Sequence, residues 1–166
     1  MERAGGERLM TLLYSEVEEE LRAAVRALLA DRCPPAAVLQ RAESDPYDLD
    51  LWKTLAGEIG VAGLLVPEEY GGAGASASEA AVVLEELGRG VAPVPFFTSS
   101  VLATRALLPI GAEEGVGALL ERLAEGRATA ALVVSHAASP YQPWRGSAVR
   151  AESGAVTGSA EGGGGG

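Results

Sequence analysis

A glycine-rich segment, Gly71-Gly72-Ala73-Gly74, is the first pattern in the sequence that could do chemistry. Glycines between a short apolar run and a helix can hold a pyrophosphate, as in the first unit of a dinucleotide-binding fold. Three features oppose this interpretation. Residues 67–70 separate the apolar run from the glycines, two of these residues are carboxylates that would repel phosphate, and no second strand with a terminal acid follows about 20 residues later. We therefore expect a turn that needs glycine for its backbone angles.

The other reactive side chains are isolated in the sequence. One cysteine, Cys33, and one histidine, His136, cannot complete a zinc site, so no metal is expected. Cys33 has no Lys or His beside it, which predicts an inert thiol, and His136 is most simply a solvated loop residue, with flavin contact as the alternative. The adjacent acids Glu85 and Glu86 predict a solvated helix face, because the groups that would complete a paired-carboxylate hydrolase are missing.

The composition predicts a folded and acidic protein. Of the 166 residues, 48% are hydrophobic and 22% are charged, and the net charge is -10. Because nucleic acids and anionic membranes require clustered Lys and Arg, neither is expected as a partner. No apolar run reaches the roughly 18 residues that cross a bilayer. The N-terminus lacks the apolar core of a secretory signal, and with a single cysteine this predicts a cytoplasmic location.

Helical patterns dominate as far as residue 126, where five helices are expected. Their starts lie at a capping box at Ser15, at Asp48 or Asp50, at Ser76 or Ser78, at Phe96 and at Glu113. Their ends lie at residues 33–35, near residue 60, after residue 87, at residue 108 and at residue 125. Between the second and third helices, residues 61–66 form a short apolar stretch that we expect to be buried.

After residue 126 the helical pattern gives way to strand signals. Residues 128–134 are small and β-branched, and residues 148–157 predict a hairpin that turns at Gly154. The fold class expected is mainly α, a helical bundle followed by an incomplete β-region. The domain limits expected are a flexible extension at 1–9, an N-terminal helical domain at 10–126, the beginning of a β-domain at 127–161, and a glycine tail at 162–166.

Residues 51–87 resemble the N-terminal domain of the acyl-CoA dehydrogenase family. The shared elements are Trp52, the stretch at residues 60–64, the VPEEYGG motif at residues 66–72 and the LEEL sequence at residues 84–87. The likeness continues at residues 111–114, 119–120 and 125–126, which are similar to the last helix before the family's middle β-domain. Residues 130–135 fall where the first strand of that domain would lie. The resemblance extends over residues 10–160, and it implies the family's N-terminal helical bundle followed by the start of its middle β-domain.

The main departure from the family falls where the flavin would be contacted. Family members carry Thr-Glu-Pro and then Gly-Ser-Asp after that strand, whereas residues 135–140 read SHAASP here. Ser135 keeps a hydroxyl, and the resemblance implies that Val134 and Ser135 contact FAD. The family's catalytic Glu belongs to a C-terminal helical domain that matches no part of this sequence. We therefore assign no catalytic residue and expect the chain alone to be inactive and to retain no FAD.

For a complete enzyme of fatty acid metabolism, the resemblance implies an oxidoreductase. A glutamate base would remove the α-proton of an acyl-CoA thioester while the β-hydride passes to FAD. The implied partners are the acyl-CoA substrate and an electron-transfer flavoprotein, within a homo- or hetero-oligomer.

Phe97, Ser99 and Ser100 fall where the family lines the far end of the acyl pocket, so they are candidate substrate contacts. Core packing is the simpler role for Phe96 and Phe97. The alternative function for the chain is a non-catalytic helical module that keeps the fold without FAD.

Overall fold

The computed structural model describes residues 14–42, 47–132, 150–152 and 155–157. The chain divides into two compact units, Met1–Ala130 and Ala131–Gly166. The fold is mainly helical, as predicted. The α-helices are α1 Glu16–Arg32, α2 Pro35–Ala42, α3 Leu49–Thr54, α4 Ala77–Arg89, α5 Thr104–Leu107 and α6 Val116–Ala124. Wider π-helical turns span Leu55–Ile59 and Phe96–Ala103, and tighter 3₁₀ turns span Val61–Gly63, Glu68–Tyr70 and Leu108–Ile110.

Local hydrogen bonds begin the longest helices at the residues that the sequence predicts. At α1 the Ser15 hydroxyl accepts from the Glu18 amide at 3.2 Å while the Glu18 carboxylate accepts from the Ser15 amide at 2.6 Å. A second capping box starts α4 at Ser76. At α3 the Asp48 carboxylate accepts from the amide of Leu51 at 2.9 Å. In each of the two alternative pairs, the earlier residue is therefore the cap.

Helix α2 is an addition to the predicted elements. The two prolines after Cys33 indicate a helix end, and α1 does end there. Pro35, however, also begins the next helix at its first position. There the missing N–H is not needed and the fixed φ of proline suits the helix, so the same residue can follow one helix and start another.

The short stretch at residues 61–66 is buried along its whole length, as predicted. It begins with a 3₁₀ turn rather than a strand, so the dinucleotide-binding interpretation of the following glycines is wrong. Gly71 and Gly74 have φ of 77° and 59°, in the left-handed region that favours glycine. A Cβ at Gly72 would overlap the carbonyl oxygen of Val66. The glycines therefore serve the turn, as expected.

The buried stretch at residues 61–66 packs directly on α6. A Cβ on Gly63 would lie 2.9 Å from the carbonyl oxygen of Ala124, so the two backbones meet without a side chain between them. Tyr70 packs beside this contact, because a Cβ on Gly111 would lie 2.9 Å from its hydroxyl oxygen and a Cβ on Gly117 would lie 3.2 Å from its ring. Gly63, together with Tyr70 of the VPEEYGG motif, thus fixes the position of α6.

Charged side chains join α1 to α4. Arg26 donates two hydrogen bonds to the Glu86 carboxylate, at 2.9 Å from Nε and 2.7 Å from Nη2. Beside this pair, Arg22 donates to Glu85 at 2.9 Å. Glu86 is only 1% exposed, so the prediction of a solvated face is wrong for this residue. The bidentate partner compensates for its loss of water.

Residues 150–152 and 155–157 form the two paired strands of the predicted hairpin, and its predicted turn at Gly154 lies outside the described residues. The strands β1 Arg150–Glu152 and β2 Ala155–Thr157 pair in antiparallel register, with Arg150 opposite Thr157 and Glu152 opposite Ala155. Within the described ranges of the chain, no helix is long and apolar enough to cross a membrane.

Replacing Glu86 tests the α1–α4 ion pair. Glu86→Gln is expected to lower the free energy of unfolding by about 1–3 kcal/mol, because a buried amide cannot replace a bidentate carboxylate. Glu85→Gln is the control, since this carboxylate is 41% exposed and should contribute less than about 1 kcal/mol. Urea unfolding at neutral pH measures both. Equal losses for the two variants would contradict the assignment.

The same variant gives a pH test. Hydrogen bonds from Arg26 hold the pKa of Glu86 below its ordinary value. The ionised carboxylate therefore stabilises the fold above the pKa of the unfolded chain, and this contribution is lost as the pH falls through the folded pKa. The stability difference between wild type and Glu86→Gln should shrink as urea unfolding is repeated at increasingly acidic pH. A difference that grows on acidification would show the opposite sign of coupling.

Candidate functional site

The three predicted substrate contacts lie on one helical segment, Phe96–Ile110. The sequence predicts a single helix over residues 96–108, and the segment is indeed continuous. Its hydrogen-bond pattern changes along its length, from the π-helical turns at Phe96–Ala103 to α5 and then a 3₁₀ turn. π-Helical turns are rare and occur frequently at functional sites. The side chains of Phe97, Ser99 and Ser100 all belong to the π-helical part.

A tight turn leads the chain from α4 into this segment. The amide of Ala92 donates to the carbonyl of Leu87 at 2.9 Å, and the amide of Val91 donates to the carbonyl of Gly88 at 3.1 Å. These two bonds form a Schellman motif, in which the residue after the cap adopts a left-handed conformation and is usually glycine. Here that residue is Val91, with φ of 47°. A β-branched residue in this region is strained.

The predicted substrate residues differ in their surroundings. The Phe97 side chain is 51% exposed, whereas Ser99 and Ser100 are each 2% exposed. Phe96 is fully buried and packs in the main core, which confirms the simpler role for that residue. The segment therefore places an accessible aromatic ring next to two buried hydroxyl groups.

Two hydrogen bonds tie Ser99 to groups beyond the ordinary backbone bonds of its helix. Its hydroxyl oxygen accepts from the backbone amide of Ala130 at 3.1 Å. Its carbonyl oxygen accepts from the hydroxyl of Thr104, a fully buried residue, at 3.1 Å. Neither partner is predicted by the local sequence around Ser99. Thr104 lies five residues from Ser99, a separation that corresponds to the wide π-helical turn and not to an ordinary α-helix.

The remaining predicted site residues lie elsewhere. Val134, Ser135 and His136 fall outside the described residues. Cys33 is buried beneath the end of α1, and burial raises the pKa of its thiol, in agreement with the prediction of an inert residue. Within the part of the chain that the structure describes, no group of three or more His, Cys, Asp or Glu side chains could hold a metal ion.

A cavity of about 520 Å³ lies between α1, α2 and the end of α4. Its walls are mainly apolar, and the charged residues Arg26, Glu86 and Arg89 also line it. None of Phe97, Ser99 and Ser100 lines it. The cavity is thus separate from the residues predicted to meet the substrate.

The helices, the buried turn and the π-helical segment together define an N-terminal helical domain of the kind that the VPEEYGG motif predicts. Residues 15–127 match the family model for the acyl-CoA dehydrogenase N-terminal domain. The chain belongs to the acyl-CoA dehydrogenase family.

Similar sequences carry the same family name. An acyl-CoA dehydrogenase, IpdE2, from Mycolicibacterium smegmatis is 46% identical over 113 residues, which cover 68% of this chain and 35% of that protein. Isovaleryl-CoA dehydrogenase from rice mitochondria, Oryza sativa subsp. japonica, is 29% identical over 75% of this chain and 31% of its own length. The chain therefore spans about a third of the length of these curated relatives.

Solved structures confirm the fold. One chain of the ChsE4-ChsE5 complex from Mycobacterium tuberculosis aligns with a TM-score of 0.67 and 25% identity, covering 79% of this chain and 36% of that one. A variant of the Tcur3481-Tcur3483 steroid ACAD aligns with a TM-score of 0.64 and 29% identity, covering 74% and 34%. Each of these structures is named for two proteins.

The strained turn before the site segment can be tested by substitution. Val91→Gly is expected to raise the free energy of unfolding by about 1 kcal/mol, because glycine adopts the left-handed conformation without strain. Val91→Ala keeps a Cβ and serves as the matched control, with a smaller gain. Thermal unfolding by circular dichroism compares the two. A Val91→Gly variant no more stable than Val91→Ala would rule out strain at this position.

Proposed function

We propose that this chain provides the acyl-facing helical part of an FAD-dependent acyl-CoA dehydrogenase. The observation that carries the proposal is the family match over residues 15–127, which includes the segment with the exposed Phe97. The domain limits that we propose remain those expected from the sequence, with the helical domain ending at residue 126 and the middle β-domain beginning at residue 127.

The reaction proposed is the removal of two hydrogens from an acyl-CoA thioester. The α-hydrogen leaves as a proton to a carboxylate base, the β-hydrogen leaves as a hydride, and a double bond forms between the two carbons. FAD, when bound, supplies the hydride acceptor. No residue of this chain is assigned as the base, and Val134 and Ser135 are the proposed flavin contacts.

Phe97 is the residue with which we propose that this chain contacts the acyl group. Its ring is half exposed and apolar, so an acyl chain can pack on it, and the size of the ring would limit the length of acyl group that fits there. Ser99 and Ser100, the other two candidate contacts, follow on the same π-helical turns. Both are buried, so Phe97 is the accessible residue of the three.

The partners proposed follow the same family. The two solved structures bear paired protein names, which supports an oligomer and favours one with two different chains. Because one similar structure is a steroid ACAD, a steroid-derived acyl-CoA is one candidate substrate. Because one relative is an isovaleryl-CoA dehydrogenase, a short branched acyl-CoA is the other. We propose an electron-transfer flavoprotein as the electron acceptor and the cytoplasm as the location.

Visible spectroscopy tests the proposed activity. The protein is purified together with any chains that accompany it, and acyl-CoA is added without oxygen. Flavin absorption bands that bleach with acyl-CoA are the expected result, while the isolated 166-residue chain should be colourless. An intact complex that contains the chain but carries no flavin would instead favour the non-catalytic helical module.

Substitution of Phe97 tests the acyl contact. In the flavin-containing complex, Phe97→Ala should shift the ratio of kcat/KM values for long and short acyl groups by roughly tenfold toward longer or bulkier ones. The reason is that the substitution removes the ring that would limit the acyl group. Leu39→Ala is the control, since this exposed apolar residue lies on α2. Unchanged preference in Phe97→Ala would remove the residue from the acyl site.

A further inference from the structure

The hydroxyl of Ser99 binds the chain just beyond the end of α6. At that helix end, the amides of Arg127 and Ala128 both donate to the carbonyl of Arg122, at 2.9 and 3.1 Å, so the helix satisfies them with its own backbone. Ala130 differs, because its amide donates to a side chain 31 residues earlier in the sequence. Ser99 thus joins the π-helical segment to the last residue of the first compact unit.

The surroundings of Ser99 determine which group accepts the hydrogen bond from the Ala130 amide. Ser99 is 2% exposed, whereas Ala130 is partly buried, so the Ser99 hydroxyl is the acceptor that the protein itself supplies to the Ala130 amide. The Thr104 hydroxyl holds the carbonyl of Ser99 from the other side. The backbone of Ser99 and its hydroxyl oxygen are therefore both fixed, and the position of Ala130 follows from them.

We infer that Ser99 is a positioning residue, which fixes the point where the chain leaves the helical unit through the Ala130 amide. The inference rests on the proposed function for its meaning. In sequence, Phe97 precedes Ser99 by two residues and Val134 follows Ala130 by four. One hydrogen bond therefore connects the helix proposed to face the acyl group with the segment that leads to the proposed flavin contacts.

A role as a direct substrate contact would require the Ser99 hydroxyl to be accessible. A hydroxyl has one donor and two acceptor sites, and Ala130 takes one of the acceptors. To meet a substrate, the hydroxyl would have to reach the surface, where only 2% of the residue is accessible. The positioning role requires no such exposure.

Amide hydrogen exchange, followed residue by residue by NMR on the 166-residue chain, tests the inference. Ser99→Ala should speed exchange at Ala130 roughly three- to tenfold, the loss expected for one hydrogen bond, while the Val25 amide in the centre of α1 stays unchanged. Ser99→Thr keeps the hydroxyl and should restore the slow exchange. Ser100→Ala removes the neighbouring buried hydroxyl and serves as the matched control, with no effect at Ala130.

Two results would overturn the inference. Exchange at Ala130 could be the same in Ser99→Ala as in wild type, or it could rise together with exchange at Val25, which would indicate general loss of stability. Should the extra methyl of threonine not fit, Ser99→Cys keeps an unbranched side chain, and its sulfur is a weaker acceptor. It should then give an Ala130 exchange rate between wild type and Ser99→Ala, and a rate equal to Ser99→Ala or faster would also count against the inference.

The flavin-containing complex gives a second, independent measurement. A positioning role predicts that Ser99→Ala slows flavin bleaching at saturating acyl-CoA and leaves KM unchanged, whereas a substrate contact would raise KM. A complex without flavin would contradict the proposed function and leave the Ala130 exchange result standing. Normal bleaching by Ser99→Ala would contradict the positioning role alone.

Discussion

The direct contact between the buried turn at residues 61–66 and α6 is the constraint on which the rest of the helical unit depends. Gly63 permits it, because any side chain there would meet the Ala124 carbonyl. Tyr70 packs beside this contact, against Gly111 and Gly117. With α6 held at this distance, the chain that follows it reaches Ser99, whose hydroxyl accepts from the amide of Ala130.

The other side of the unit is held by a different kind of interaction. Where α1 meets α4, a buried carboxylate and a half-exposed guanidinium form two hydrogen bonds, in addition to the apolar contacts of the core. Directional bonds of this kind fix the position of one helix along the other, which apolar contacts alone do not. From the end of α4, the strained turn at Val91 then leads into the site segment. Apolar packing, ion pairing and close backbone contact therefore each hold a different part of the helical unit.

The parts of this structure that sequence analysis predicted are those decided within a few neighbouring residues. The caps at Ser15 and Ser76 and the turn glycines belong to this class, as does the VPEEYGG motif that identified the family. The missed features depend on distant partners. The burial of Glu86 requires Arg26, which lies 60 residues away, and the bond between Ser99 and Ala130 spans 31 residues. The π-helical register is likewise unmarked by any local pattern, since it differs from an α-helix only in which backbone groups pair.

Unfolding of Gly63→Ala, compared with Gly88→Ala, tests the central constraint most directly. A Cβ at Gly63 meets backbone atoms that cannot move alone, so the free energy of unfolding should fall by about 1–3 kcal/mol. Gly88 lies within α4 with open space around its Cα, so alanine there should raise it by about 0.5–1 kcal/mol through helix propensity. The opposite signs of the two changes are the predicted result. A Gly63→Ala variant as stable as wild type would contradict the dependence of the unit on this contact.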